Sequence, residues 1–207
     1  GTLTISGSGT LNAYGGESGA GIGSGSQKGC SNIEIESGII NAHGGQWGAG
    51  IGSGNVGNRP GVLGGSYITI NGGDVTAYGG SEAAGIGGGF KGNGKDITIN
   101  GGTVHAESGG GEKVAAIGGG RWTGEGENIK ITGGNVTVKS GTGVWIGGTN
   151  GEIDKSNLTG AITYVNQNGN VENTANWDIM VNETAVNGVN YKDILGNGAL
   201  CYDIVEK

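Results

Sequence analysis

The motif Ala20-Gly21-Ile22-Gly23-Ser24-Gly25 constrains the fold most strongly, because close copies of it return along the chain. The copies occupy residues 49–54, 84–89, 115–120 and, in a weaker form, 144–149. Their isoleucines are Ile22, Ile51, Ile86, Ile117 and Ile146, so subtraction gives steps of 29, 35, 31 and 29 residues. Repeats of about 30 residues are typical of solenoids, in which each unit buries its apolar face only against its neighbours.

Composition supports a folded, non-collagenous chain. Glycine supplies 53 of 207 residues, but it clusters at fixed places in the long repeat and does not recur at every third residue. A net charge of −7 disfavours nucleic acid or an anionic membrane surface as a partner, because phosphate binding needs a basic patch. No apolar run reaches the length of about 18 residues that membrane insertion requires.

Two further short segments precede the glycine motif in each repeat. The first lies at residues 3–5, 33–35, 68–70, 97–99 and 129–131, and the second at residues 11–13, 40–42, 75–77, 104–106 and 136–138. Both alternate apolar β-branched residues with polar ones, which predicts strands with one buried face. Three strands per repeat and no helical period predict an all-β fold: a parallel β-helix of about five three-strand rungs, about 20 to 25 Å tall.

The repeats resemble those of a known group of proteins. Ile-Thr-Ile-Asn-Gly-Gly at residues 68–73 and 97–102, followed by an Ala-Gly-Ile-Gly or similar motif, resembles the repeats of right-handed parallel β-helix surface proteins of Gram-positive bacteria. The architecture is similar to that of pectate-lyase-like proteins. The resemblance covers residues 1–153 and implies right-handedness and a secreted or cell-surface location. It does not imply an activity, because this architecture serves lyases, hydrolases, adhesins and inert stalks.

The repeat pattern stops after residue 153, which predicts two parts, 1–153 as β-helix and 154–207 as a small β-rich cap or docked module. Strands are predicted at residues 161–165, 177–181, 189–195 and 199–205, with Trp177, Ile179 and Tyr191 as anchors against the last rung. A cap would protect the open edge of the last rung. A second independent domain is the alternative.

Cys30 and Cys201 lie near opposite ends of the chain, and we expect them to be unpaired.

The second strand is the first candidate binding surface. If the rungs stack in register, its outward positions form the columns Asn12, Asn41, Thr76, His105, Thr137 and Tyr14, His43, Tyr78, Glu107, Lys139. Aromatic rings in such a column can stack on the apolar C–H faces of sugars. The alternative is a cross-strand ladder that only stabilises the sheet.

The glycine motif is the second candidate surface. Alternation places Gly21, Gly50, Gly85, Ala116 and Trp145 in one outward row and Gly23, Gly52, Gly87, Gly118 and Gly147 in another. Such a bare face indicates either a rung too tight for side chains or an occupant, such as the C-terminal tail, a partner chain or a polysaccharide. Two banks of loop residues flank it. The first bank is Glu17, Gln46, Trp47, Glu82 and Glu112, and the second is Lys28, Arg59, Lys91, Arg121 and Trp122.

Catalysis has weaker support in the sequence. Glu82 and Glu112 fall on adjacent rungs and could reach the carboxylate spacing of a glycoside hydrolase, and with Arg121 they are the nearest match to a lyase site. No metal site is predicted from the two histidines. Calcium at residues 124–128 is a further candidate, although a tight site needs six or more oxygen ligands.

The favoured hypothesis is a noncatalytic carbohydrate-binding or adhesive module with no cofactor. Its partners would be a polysaccharide or glycan and neighbouring domains of a longer parent chain. Its ligand-binding residues would be Tyr14, His43, Trp47, Tyr78, Arg121, Trp122 and Trp145. The alternatives are a polysaccharide lyase or glycoside hydrolase using Glu82, Glu112 and Arg121, and a structural spacer with no ligand.

Overall fold

The computed structural model describes residues 1–58, 64–141, 144–149, 157–166, 177–181, 184–186 and 202–206. Over these residues the chain forms a right-handed parallel β-solenoid of about five rungs, as the repeats predict. Each rung contributes one strand to each of three parallel sheets, here named sheets A, B and C. In the described residues, no helix is long and apolar enough to cross a membrane.

The three sheets correspond to the three repeated segments. Sheet A contains β1 (Leu3–Ile5), β4 (Cys30–Ile35), β7 (Gly64–Ile70), β10 (Asn93–Ile99) and β13 (Gly126–Ile131). Sheet B contains β2 (Thr10–Tyr14), β5 (Ile39–His43), β8 (Asp74–Tyr78), β11 (Thr103–Glu107), β14 (Asn135–Ser140) and β16 (Ala161–Asn166). Sheet C contains β3 (Ile22–Gly23), β6 (Ile51–Gly52), β9 (Ile86–Gly87), β12 (Ile117–Gly118) and β15 (Ile146–Gly147).

Identical residue types stack from rung to rung. Ile22 pairs with Ile51, Ile51 with Ile86, Ile86 with Ile117 and Ile117 with Ile146, so the predicted isoleucine column is confirmed. Columns of isoleucine, valine and alanine from sheets A and B complete the core, and most of these side chains are fully buried from the second rung onward. The stacked apolar columns are the main source of stability, because a single rung has nothing else against which to bury them.

A backbone kink recurs near the start of the sheet A strands. Asn32, Tyr67, Asp96 and Asn128 all have positive φ angles, of 61°, 54°, 53° and 49°. Each kink lies one residue before the first of the two buried isoleucines of its strand. Asn and Asp tolerate this left-handed conformation, whereas Tyr67 is a bulky residue in a region that such residues rarely occupy.

The glycine rows of sheet C do not form an exposed face. From the second rung onward the glycines of both rows are buried. A Cβ atom on Gly50 would lie 2.7 Å from the backbone nitrogen of Tyr78, which ends a sheet B strand. A Cβ atom on Gly52 would lie 2.0 Å from the carbonyl oxygen of Gly87, and its φ of +138° also excludes other residues. The alternative of a rung too tight for side chains is therefore confirmed, and the chain's own backbone fills the place proposed for an occupant.

The C-terminal end of the solenoid is covered by the chain that follows it. β16 pairs in parallel with β14, and Leu158 forms an isolated parallel bridge with Ile131. The indole nitrogen of Trp145 donates a hydrogen bond of 3.0 Å to the carbonyl oxygen of Val165. The Trp145 ring also meets Tyr164 edge-on, with ring centroids 5.8 Å apart. Trp145 is therefore a packing residue at this end and not part of an open surface.

The remaining described strands form an antiparallel sheet of β17 (Trp177–Val181), β18 (Thr184–Val186) and β19 (Tyr202–Glu206), in the order β18-β17-β19. The predicted strands at 161–165 and 177–181 are confirmed, and β19 overlaps the one predicted at 199–205. The strand predicted at 189–195, the anchor Tyr191 and Cys201 lie outside the described residues, as do the side chains of Trp177 and Ile179. The division between residues 153 and 154 stays a prediction.

Candidate functional site

The outer face of sheet B carries an aromatic ladder, which we define as Tyr14, His43, Tyr78 and His105. The predicted register is confirmed, because Tyr14 pairs with His43 and His43 with Tyr78. The Tyr14 and His43 rings are 5.0 Å apart and 10° from parallel, and the His43 and Tyr78 rings are 4.7 Å apart and 19° from parallel. These are offset-stacked contacts, which stabilise folded proteins.

This stacking limits what the ladder can bind. The faces of His43 are taken by its two tyrosine neighbours, and Tyr78 also meets the tilted ring of His105 at 5.9 Å. A sugar stacks on the face of a ring, so the inner rings of the ladder offer it mainly their edges. Tyr14, which is 73% exposed, is the ring with the most open surface.

Polar side chains continue the ladder toward the later rungs. Glu107 Oε1 accepts a hydrogen bond of 2.9 Å from Lys139 Nζ, and Glu107 Oε2 lies 3.4 Å from Nε2 of His105. A second polar ladder runs along the corner between sheets A and B. Its side chains are joined from rung to rung by hydrogen bonds of 2.8 to 2.9 Å, in the order Glu36, Asn71, Asn100 and Thr132. The sequence contains the signal for this ladder in its recurring Asn-Gly-Gly turns, but our sequence analysis did not single it out.

The loops on either side of sheet C lie in direct contact. Within a rung the chain reverses tightly here: the Ala49 nitrogen, for example, donates to the carbonyl oxygen of Ser53 at 3.0 Å. Between rungs, the Phe90 nitrogen donates to the Trp47 carbonyl at 2.9 Å and the Arg121 nitrogen to the Glu82 carbonyl at 3.0 Å. The two predicted banks are therefore joined to each other, and the chain's own backbone fills the glycine face that they flank. Arg59 of the second bank lies outside the described residues.

An ion pair fastens these loops together. Arg121 Nη1 lies 2.8 Å from Oε1 and 2.7 Å from Oε2 of Glu82. Both side chains are partly buried, with 31% of Arg121 and 19% of Glu82 exposed. Both carboxylate oxygens are therefore engaged by one guanidinium nitrogen, which suits a structural ion pair.

The adjoining residues form a compact, partly exposed group, which we call the loop cluster: Asn58, Phe90, Lys91 and Trp122, with the Glu82–Arg121 pair beside it. Lys91 Nζ lies 4.8 Å from the ring centroid of Trp122 and 5.4 Å from that of Phe90. The two rings are tilted by 58° with centroids 5.8 Å apart. Lys91 Nζ also donates a hydrogen bond of 2.6 Å to Asn58 Oδ1. Trp122 remains 57% exposed even with these contacts.

Lys91 and Trp122 occupy equivalent places in the turns that leave sheet C. Each lies five residues after the isoleucine of its sheet C strand and has a positive φ, of 61° and 80°, as does Gln27 with a φ of 57°. Among the described residues, no carboxylate lies within ion-pair distance of Lys91. Lys91 and Trp122 were predicted on one bank, whereas Phe90 and Asn58 were not predicted, because they join the cluster only through the stacking of successive loops.

The proposed catalytic residues are only partly brought together. Glu82 and Glu112 do fall on consecutive rungs, because the Gly111 nitrogen donates to the Ser81 carbonyl at 2.7 Å. Glu112 itself is exposed, and among the described residues it has no hydrogen bond or ion pair to Glu82 or Arg121. Trp47 is partly buried, and its contribution to the loop cluster is the backbone carbonyl that Phe90 contacts.

Metal-binding groups are also engaged with neighbours. In the calcium candidate at residues 124–128, Glu127 forms an ion pair of 3.0 Å with Lys95, and the Asn128 amide bonds to Asp96. The described residues contain no group of three or more His, Cys, Asp or Glu side chains placed to hold a metal ion. Cys30 is half-buried, and burial raises the pKa of its thiol above the usual value.

Comparison with known proteins identifies the repeats. A family model described as the beta helix repeat matches residues 3–26, 33–55, 68–90 and 97–121. These four segments coincide with the first four rungs of the solenoid, and the fifth rung, with the weakest copy of the glycine motif, extends the same sheets. No curated protein and no solved structure matches the chain. The repeated part of this chain is therefore a beta helix repeat domain.

Proposed function

We propose that the protein is a noncatalytic carbohydrate-binding or adhesive module of a secreted or cell-surface protein, and that the loop cluster is its binding site. The observation that carries this proposal is the exposed indole of Trp122, held by Lys91 and Phe90. An indole face suits the apolar C–H face of a sugar ring, and Lys91 and Asn58 offer hydrogen bonds to hydroxyl groups at its side. A ring already fixed in place loses less conformational entropy when a ligand binds.

The geometry favours the loop cluster as the sugar-binding site over the other residues that the sequence suggested for this role. The inner rings of the ladder stack on each other, and Trp145 packs against Tyr164 at the covered end of the solenoid. Tyr14, His43 and Tyr78 therefore serve mainly to stabilise sheet B in this proposal. Arg121 holds the loop through its pair with Glu82, and Trp122 makes the ligand contact.

The test is a screen of the purified protein on a broad glycan array and on insoluble polysaccharides, followed by measured affinities for any hit. Trp122→Ala should weaken binding about tenfold or more, because losing an aromatic contact of about 1.4 kcal/mol corresponds to a factor of ten. Tyr67→Ala is the matched control, since Tyr67 is 56% exposed and also has a positive φ, of 54°. It should leave the affinity unchanged.

Two results would contradict the proposal. The first is the absence of any hit across the array with a protein shown to be folded by circular dichroism. The second is an equal loss of binding in Trp122→Ala and Tyr67→Ala, which would assign the effect to the fold and not to the loop cluster. Release of reducing or unsaturated ends from any glycan would instead favour the enzymatic alternative.

A further inference from the structure

Two asparagine–glycine pairs lie at the exposed corner between sheets A and B. Asn71 and Gly72 follow β7, and Asn100 and Gly101 occupy the equivalent place after β10. Both asparagines are exposed, and both belong to the polar ladder of this corner. Such pairs are chemically labile, because glycine has no side chain to hinder attack by its backbone nitrogen on the side-chain amide of the preceding asparagine.

The stacking of the rungs accounts for both residues of each pair. The asparagine amides join one rung to the next, because Asn100 Nδ2 donates a hydrogen bond of 2.8 Å to Asn71 Oδ1. The glycines admit a close approach of backbone, since a Cβ atom on Gly101 would lie 2.6 Å from the carbonyl oxygen of Asn71. A Cβ atom on Gly72 would lie equally close, at 2.6 Å, to the carbonyl oxygen of Glu36. The corner therefore retains the labile pair as a requirement of its packing.

The attacking nitrogens have no competing hydrogen bond. In the part of the chain that the structure describes, the backbone nitrogens of Gly72 and Gly101 donate to no partner. The asparagine nitrogens just before them are engaged, because they donate to the carbonyl oxygens of Ile35 and Ile70 in the preceding rungs. A peptide nitrogen must lose its proton to attack, and an unbonded N–H at an exposed turn can transfer that proton to solvent. Both glycine nitrogens are therefore available for reaction.

A third asparagine–glycine pair, Asn93 and Gly94, lies inside β10 and differs in each of these respects. Gly94 is buried and pairs with Gly65 on one side and Gly126 on the other. Its backbone nitrogen donates a hydrogen bond of 2.7 Å to the Glu125 carbonyl oxygen. Asn93 Oδ1 accepts a hydrogen bond of 3.1 Å from the Glu125 nitrogen. Both the attacking nitrogen and the amide under attack are thus held in place.

We propose that Asn71 and Asn100 are sites of spontaneous deamidation in the folded protein, and that Asn93 is protected. In the first step the glycine nitrogen bonds to the asparagine Cγ, the bond from Cγ to Nδ2 breaks, and the N–H proton reaches the departing nitrogen through solvent, so that ammonia leaves. The product is a five-membered succinimide. Water then adds across one C–N bond of the ring, which yields aspartate when the bond to Cγ breaks and isoaspartate when the bond to the main-chain carbonyl carbon breaks.

The two sites differ in what the new negative charge meets. Asn71 Nδ2 donates a hydrogen bond of 2.8 Å to Glu36 Oε1, so a carboxylate at position 71 loses this bond and repels Glu36. The ladder neighbours of Asn100 are an amide and a hydroxyl, and both are neutral. Thr132 Oγ1, which lies 2.9 Å from Asn100 Oδ1, can donate equally well to a carboxylate. Deamidation at Asn71 therefore weakens the ladder more than deamidation at Asn100.

The test is incubation of the full chain in neutral buffer, followed by peptide mapping with mass spectrometry to locate each new aspartate and isoaspartate. Residues 71 and 100 should be converted about tenfold or more faster than residue 93, because the Gly94 nitrogen must first leave its hydrogen bond. In denaturant the three rates should become similar. Asn100→Thr is the matched variant, because it copies the fifth rung, where Thr132 precedes Gly133. It should abolish the products at position 100 and leave those at position 71.

Two results would overturn the proposal. Equal rates at residues 71, 93 and 100 in the folded chain would show that the local sequence alone governs the reaction. Residues 71 and 100 that stay intact in the folded chain and react only in denaturant would show that the ladder protects them. Thermal melting checks the difference between the sites: Asn71→Asp should lower the melting temperature more than Asn100→Asp, and the opposite order would contradict the effect assigned to Glu36.

Discussion

Nη1 of Arg121 lies 2.7 and 2.8 Å from the two carboxylate oxygens of Glu82, which belongs to the preceding rung. The ion pair therefore joins the loop after sheet C to the loop before it. The backbone of the same two residues is also joined, by the hydrogen bond from the Arg121 nitrogen to the Glu82 carbonyl. The exposed Trp122 follows directly in the chain. The ion pair and this backbone hydrogen bond therefore hold together the loops from which Trp122 projects.

Removing this ion pair should release the loop that carries Trp122 and should reduce the stability of the whole fold only slightly. We expect Glu82→Gln to lower the free energy of unfolding by about 1 kcal/mol, because the pair is partly exposed and its strength is reduced by solvent screening. Chemical denaturation would measure this value. A double-mutant cycle with Arg121→Met should give a coupling of similar size, and a coupling near zero would show that the pair does not stabilise the loop.

Gly52 should be intolerant of substitution. Gly52→Ala places a methyl group 2.0 Å from the Gly87 carbonyl oxygen at a φ of +138°, so we expect a loss of about 3 kcal/mol or more. Gly16→Ala is the control, because a Cβ atom there meets nothing within 4 Å. Thermal melting of both variants would compare them. Similar melting temperatures for the two variants would contradict the close packing described for sheet C.

The aromatic ladder should stabilise sheet B in a graded way. His43→Ala loses two stacked contacts and Tyr14→Ala loses one, so His43→Ala should cost more, by about 0.5 to 1.5 kcal/mol. Tyr14 is also the more exposed of the two, and its truncation should have a small effect. Equilibrium unfolding of the two variants measures the difference. The reverse order of stability would argue against ring stacking as the role of the ladder.

Tyr67 offers a substitution that should increase stability. The equivalent residues in the neighbouring rungs are Asn32, Asp96 and Asn128, and all four have positive φ angles. Tyr67→Asn should relieve backbone strain and raise the free energy of unfolding by about 0.5 to 1 kcal/mol. Melting temperature reports the effect directly. A decrease would mean that the exposed Tyr67 ring makes contacts that outweigh the strain.

The sequence was sufficient to predict the rungs, the three sheets and the columns of stacked residues. Ile22 and its equivalents recur with the same neighbours, and stacking in register buries all of them. Regular alternation likewise predicted which residues of sheet B share the outer face, including Tyr14 and His43.

The sequence predictions failed where the alternation of apolar and polar residues carries little information. A sheet C strand has only two residues, and its glycine face is covered by neighbouring backbone, so glycine there marked close packing and not an open surface. The register of sheet B placed the rings in one column but did not show that their faces would meet. The Glu82–Arg121 pair and the contact of Lys91 with Trp122 join loops of different rungs, and the local sequence does not specify how far such loops reach.

The tight turn at sheet C determines where this fold can vary in length. From Ile51 to Ile68 the chain takes 17 residues, whereas the equivalent path from Ile86 to Ile97 takes 11, yet both isoleucine pairs keep their register. The additional residues fall in the sequence between Gly52 of sheet C and Gly64 of sheet A, the interval that also contains Asn58. Insertions between sheets C and A therefore leave the core in register, and Lys91 and Trp122 belong to the same interval of their own rungs, so the chain can gain recognition residues in this interval without any adjustment of the core.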